Sequence, residues 1–245
     1  MNLIVDKGNT CLKLAVVDNG KIVDEMTTYD VPDAVGWLEA VVFIYKMDKA
    51  ILSSVTDYDR DIMRFFKKYM PRFKFMDTRM SLPITVEYET KETLGVDRIA
   101  AAVGAYSEKE GENLIVIDAG TAITYEVIEA SGKYVGGNIS PGMITRFRAL
   151  NTFTKRLPLV QKQDDAPLTG TNTQTAILSG VINGIVFEMD GFIDAYRAKY
   201  GDIFVFLTGG DAFFFEKRLK NRTFADANLV IKGLNRILEY NDKVN

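Results

Sequence analysis

Two turns of the same chemical kind stand 112 residues apart in this chain, Asp6-Lys7-Gly8-Asn9-Thr10 and Asp118-Ala119-Gly120-Thr121-Ala122. Each follows a short apolar run, Leu3-Ile4-Val5 or Leu114-Ile115-Val116-Ile117, and each precedes a second β-rich stretch. Such runs read as buried strands. A glycine lets the backbone approach a ligand, and turn N–H groups and hydroxyls can hold phosphate oxygens. A carboxylate can hold a cation that offsets the phosphate charge, directly or through water. Lys13, three residues past Thr10, could reach a phosphate at the first turn. One copy could be an ordinary hairpin with a solvated lysine. Two copies at the same point of similar hairpins suggest a duplicated phosphate clamp. Between them, Gly95-Val96-Asp97-Arg98 precedes a helix expected from Ile99 to Tyr106. Asp97 there is either a helix N-cap or a carboxylate base, with Arg98 placing an anionic substrate through paired hydrogen bonds.

The composition favours the base. There is no histidine among 245 residues, which removes the usual general base, any Ser-His-Asp triad and any His-ligated metal. A carboxylate is left to accept protons, and bound metals should be hard cations held by oxygen. Cys11 is the only cysteine, so no intramolecular disulfide forms and a reducing, cytoplasmic setting is expected. A net charge of −3 gives no general reason to expect nucleic-acid binding. No uncharged apolar stretch reads as a membrane span, and the first residues read as a core strand rather than a signal peptide.

The elements that must position these residues read as α/β. Strands are expected at Asn2 to Val5, Leu12 to Val17 and Lys21 to Thr28, then a helix from Asp33 to Met47 and a strand from Ala50 to Val55. Asp59 to Tyr69 should be a helix with Ile62, Phe65 and Phe66 on one face, stopped by Pro71 before a strand at Phe73 to Met76. The order restarts with strands at 114–118, 121–128 and 134–139, followed by helices, of which Thr173 to Tyr200 is one long helix or two joined ones. The polar stretch Ser107 to Asn113 is the best boundary, dividing the chain into 1–108 and 109–245. Two further glycine clusters, Gly136 to Gly142 and Thr208-Gly209-Gly210-Asp211, lead into helices where a backbone could pass close to a ligand.

In order along the chain these pieces resemble the type III pantothenate kinases, within the acetate-kinase, sugar-kinase, heat-shock-chaperone and actin superfamily. The matching motifs are Asp6-x-Gly-Asn-Thr10 with Lys13, Gly95-x-Asp97-Arg98, Asp118-x-Gly-Thr-Ala122, Gly136-Gly137-x-Ile139-x-Pro141-Gly142, Asn172-Thr173 and Thr208-Gly209-Gly210. The resemblance implies two RNase H-like (actin-like ATPase) domains with ATP in the interdomain cleft. It implies that Asp6, Lys7, Gly8, Asn9, Thr10, Cys11, Leu12 and Lys13 form the first phosphate loop, with Asp6 near magnesium, and that Thr121 also contacts ATP. Asp97 matches the proton acceptor. Tyr88, Gly95, Val96, Asp97, Arg98 and Thr173 match pantothenate-binding positions, and Asp118 matches the ligand of a monovalent cation, K+ or NH4+. The implied protein is a homodimeric, ATP-dependent kinase of coenzyme A synthesis, without nucleic-acid or membrane partners. Lys7 and Glu126 depart from the family's usual aliphatic residue and Asp. A sugar or small-acid kinase, or a nucleotide-binding regulator of the same fold, are the alternative readings.

Overall fold

The computed structural model describes residues 1–57 and 59–243. The expected second half, 109–245, therefore has its last two residues outside the described ones. In chain order the strands are β1 (Asn2–Lys7), β2 (Leu12–Asp18), β3 (Lys21–Thr28), β4 (Lys49–Ser54), β5 (Lys74–Phe75) and β6 (Thr85–Val86), then β7 (Leu114–Ala119), β8 (Ala122–Glu129), β9 (Lys133–Pro141), β10 (Phe204–Thr208) and β11 (Phe224–Ala225). The helices are α1 (Val31–Ile44), α2 (Arg60–Tyr69), α3 (Val96–Glu108), α4 (Met143–Phe153), α5 (Thr173–Tyr200), α6 (Ala212–Glu216) and α7 (Leu229–Lys243). They form two compact units. The first comprises Met1–Gly111, Ile128–Val135 and Asn228–Asn245, and the second Glu112–Val127 and Gly136–Ala227.

In the first unit the strand order is β3-β2-β1-β4-β5, with β1 antiparallel to β2 and parallel to β4. Side chains alternate across a strand, and here both faces are covered. Leu3 and Val5 of β1 join Leu38 of α1 and Ile62, Phe65 and Phe66 of α2 in one apolar cluster. The Asp59 carboxylate caps α2 by accepting from the N–H groups of Asp61 and Ile62. Helices α3 and α7 pack closely together at two glycines. A β-carbon on Gly104 would meet the carbonyl oxygen of Leu229, and one on Gly233 that of Ala100, each closer than 3.0 Å. The run of alanines that precedes Gly104 is buried in this contact. Buried amides of α7 are satisfied by residues far along the chain: Asn2 Nδ2 donates to Asn235 Oδ1 at 2.8 Å, and Asn241 Nδ2 donates to the Ser81 carbonyl at 2.7 Å. Strand β6 pairs in parallel with the start of β9.

In the second unit the order is β11-β10-β7-β8-β9, with β10 parallel to both β7 and β11. The β7–β8 hairpin places Ile115, Ile117, Ile123 and Tyr125 against Met143 and Phe147 of α4 and a stripe from Ile177 to Ile193 of α5. Helix α5 is one continuous helix of 28 residues, opened by a capping box between Asn172 and Thr175. It spans the residues expected of it, Thr173 to Tyr200, but is more apolar than the sequence reading allowed: by length and composition it could cross a membrane. Its buried residues, however, lie in the core of this unit.

Candidate active site

The first turn is built at the open end of β1. Gly8 N–H donates to the Cys11 carbonyl at 3.0 Å, which closes the hairpin and leaves Asn9 and Thr10 exposed at its tip. Leu12 is buried in the apolar cluster, so only its backbone belongs to the turn. Asp6 stands opposite Lys13 of β2 on one side and opposite Ser53 of β4 on the other. It is 8% exposed, and neither its Oδ1 nor Ser53 Oγ has a hydrogen-bond partner. Burial pushes its carboxyl up to about 6; the Ser53 hydroxyl beside it and the Lys13 ammonium oppose that shift, and the Asp97 carboxylate adds to it. Asp6, Lys13, Ser53 and Asp97 are thus electrostatic neighbours, which joins the first turn to the start of α3. Lys7 points elsewhere, its Nζ donating to the Asp57 carbonyl at 2.6 Å.

Asp97 lies inside the first turn of α3. The N-cap position belongs to Gly95, without a side-chain cap, so Asp97 is not the cap. Its Oδ1 accepts from the Arg98 N–H at 2.9 Å. Gly95 leaves room for this carboxylate, because a β-carbon there would fall closer than 3.0 Å to Oδ1. Arg98 is buried, with its guanidinium carbon 5.9 Å from the centroid of the Tyr88 ring. Tyr88 in turn lies 6.3 Å from the Tyr134 ring, centroid to centroid. The structure therefore brings Tyr88, Gly95, Val96, Asp97 and Arg98 together in the first unit. Thr173 is exposed in the first turn of α5, in the second unit. A cavity of about 190 Å³ nearby in the first unit is lined by Met80, Leu82, Ile84, Val86, Lys91 and Ile99, and by none of the expected site residues.

The second turn is braced from two sides. Gly120 N–H donates to the Ala122 carbonyl at 3.0 Å, one residue tighter than the first turn, and Thr121 is exposed at the tip. The Thr121 carbonyl accepts from Gly142 N–H at 3.0 Å and from Thr145 Oγ1 at 2.7 Å. The Ala119 carbonyl accepts from Asp211 N–H at 2.9 Å. Gly209 has φ +90, and a β-carbon there would overlap Asp118 Oδ1 and the Ala119 carbonyl. The two glycine clusters thus serve as supports for the turn that carries Asp118. Beneath them Glu188 accepts from Tyr125 Oη at 2.9 Å and from Ser140 Oγ and Arg146 Nη2, each at 2.6 Å. Glu126 is fully buried.

Sequence reasoning named Thr208 only within its glycine motif and missed Ser53, Arg146 and Glu188. A hydroxyl near the end of a buried strand was the available signal for Ser53. Arg146 and Glu188 are 42 residues apart and carry no local signature. Among the described residues no group of three or more His, Cys, Asp or Glu is arranged to hold a metal. The unpartnered Asp6 Oδ1 is the kind of carboxylate oxygen that would suit magnesium, which takes one or two carboxylates together with water and substrate phosphates.

A family model described as type III pantothenate kinase matches residues 2–195. A type III pantothenate kinase of Bacteroides fragilis (strain YCH46) is 47% identical over 242 residues, covering 99% of each chain. Among solved structures, one described as a Baf family transcriptional activator from Campylobacter jejuni has a TM-score of 0.62 at 23% identity, covering 98% of this chain and 99% of that one. The activator of the 2-hydroxyisocaproyl-CoA dehydratase from Clostridium difficile, with bound ADPNP, has a TM-score of 0.55 at 13% identity, covering 99% and 94%. These two likenesses bear on the fold alone, the two-domain actin-like α/β fold that the family resemblance implied. By its family match and its full-length identity, this chain belongs to the type III pantothenate kinases.

Proposed function

We propose that this protein transfers the γ-phosphoryl group of ATP to the primary hydroxyl of pantothenate, giving 4′-phosphopantothenate and ADP, the first step of coenzyme A synthesis. The observation that carries the reading is the Asp97 constellation, a carboxylate at the start of α3 with Arg98 and Tyr88 beside it, in a chain of this family. Phosphoryl transfer needs mainly alignment and charge neutralisation. Asp97 accepts the hydroxyl proton and aims the oxygen at the γ-phosphorus. Arg98 pairs with the pantothenate carboxylate, Tyr88, Gly95 and Val96 shape that subsite, and Thr173 is a further pantothenate contact. Residues Asp6 to Lys13 hold the phosphates, with Asp6 facing magnesium through water. Thr121 adds an ATP contact, and Asp118 holds K+ or NH4+. The cations supply positive charge against the phosphates.

The same reading makes the protein a cytoplasmic homodimer. It also makes 1–108 and 109–245 the two related halves; in the compact units, α7 and the β8–β9 tip both join the first. An ADP-release assay with and without pantothenate and K+ tests it. ADP production that needs both is the expected result. Production that is independent of pantothenate overturns it, as does near-normal turnover by Asp97→Asn.

A further inference from the structure

Ser53 and Thr208 occupy equivalent places in the two units. Each lies at the end of a strand parallel to the one that carries a turn aspartate, Ser53 next to last in β4 and Thr208 last in β10. Ser53 stands opposite Asp6 in the β1–β4 register, and Thr208 stands opposite Asp118 in the β7–β10 register. Side chains at paired positions of adjacent strands share a face and lie within reach of each other. Both residues are 0% exposed, and neither hydroxyl has a hydrogen-bond partner. A buried hydroxyl left unpaired destabilises the fold, and such groups are rare in native proteins. Alanine at 53 and valine at 208 would fill the same space without that cost. The same costly choice, made twice at the same point beside two carboxylates, asks for a role that packing does not supply.

We propose that Ser53 and Thr208 are positioning residues for the two turns, each turning its hydroxyl to donate to the neighbouring carboxylate and so fixing which oxygen faces the bound cation. The inference rests on the reading that Asp6 faces magnesium and Asp118 a monovalent cation. The sequence duplication then extends beyond the Asp-x-Gly turns to the neighbouring parallel strands. Ser53 supports Asp6, on which the Asp97 carboxylate acts as a like charge. Thr208 supports Asp118 from the strand whose next residue, Gly209, lets the carboxylate pack against the backbone. The two devices are separate, so each should control one cation and leave the other alone.

The test uses the full chain with Ser53→Ala, Thr208→Val and the hydroxyl-retaining Thr208→Ser. Melting temperature is followed without pantothenate while Mg2+ is titrated in the presence of ATP, and separately while K+ is titrated. Loss of a group that orients a metal ligand typically weakens the metal by about tenfold or more. Ser53→Ala should raise the Mg2+ midpoint by that factor and leave the K+ midpoint in place. Thr208→Val should do the reverse, and Thr208→Ser should restore the K+ midpoint. Should either variant fail to fold, Ser53→Cys or Thr208→Ala is read in its place. Unchanged midpoints, or both midpoints moving together in each variant, overturn the inference while leaving the cation assignment standing. A parent protein indifferent to both cations overturns that assignment and the inference with it.

Discussion

Gly95 and Asp97 are fitted to one another, because the space a Gly95 side chain would fill is the space the Asp97 carboxylate occupies. The contact involves the far end of a side chain, so Gly95→Ala should turn the carboxylate aside rather than unfold the helix. A displacement of about 1 Å at a reacting group can cost about 100-fold in rate. Gly95→Ala should therefore lose roughly that factor in kcat while its melting temperature stays close to the parent's. A paired measurement of turnover and thermal melting checks both halves of the expectation.

The buried Asp6 gives the ligand-free protein a distinctive pH response. Its carboxyl is raised from 3.8 to about 6, so between those values the folded state holds a proton that the unfolded state has released. Stability from this group therefore falls as pH rises through that window, and the loss is complete above about pH 6. The full cost is about 3 kcal/mol at 1.36 kcal/mol per pH unit. Asp6→Asn should remove it, so the variant should gain stability over the parent at pH 7.5 and show little gain at pH 4. Denaturant titrations at the two pH values, without magnesium and nucleotide, make the comparison; an equal gain at both would refute the assignment.

Glu188 should behave in the opposite sense. Burial raises its carboxyl, but the hydrogen bonds from Ser140, Arg146 and Tyr125 outweigh that and hold it below the ordinary value of 4.5. Its contribution is present above pH 4.5 and is lost as pH falls through the lower folded value. Glu188→Gln at neutral pH should cost about 2 kcal/mol, because a charged acceptor is removed from three partly buried donors. Coupling between Glu188→Gln and Arg146→Met in a double-mutant cycle should exceed about 0.5 kcal/mol, as for residues in one network.

The α3–α7 contact offers a purely structural test. The atom facing a β-carbon on Gly233 is a backbone carbonyl oxygen, which cannot swing aside. Gly233→Ala should cost about 1–3 kcal/mol from overpacking, against about 1 kcal/mol of helix propensity gained. At about 2–4 °C per kcal/mol for a chain of this size, the larger figure means several degrees of melting temperature. Gly191→Ala in α5, with nothing within 4 Å, should gain up to about 1 kcal/mol by the same propensity.

Strand runs and turn chemistry were plain in the sequence because they are local. The expectation for Lys21 to Thr28 matched β3 residue for residue, and most other bounds shifted by one to three residues. Helix α3 was expected to begin at Ile99 and begins at Val96, because nothing in Gly95-Val96-Asp97 carries a side-chain cap to mark its start. That shift matters, since it moves Asp97 from a loop into the first helical turn. Strand β6 was missed: two residues in pairing with the start of β9 leave no periodicity to read. The binding-site motifs were legible as glycine and acid spacing. Their supports Ser53, Arg146 and Glu188 were not, because each meets its partner across the fold rather than along the chain.

The union of α7 with α3 also sets an order of events. Residues 229 to 243 leave the ribosome after the whole second unit, yet they cover one face of the sheet that begins at residue 2. Until they emerge, the nascent first unit presents Ala100, Gly104 and the back of β1 uncovered, and only its α1–α2 side can be sealed. The second unit, complete by Ala227, is free to mature first, so the half made earlier during translation is the one that finishes later.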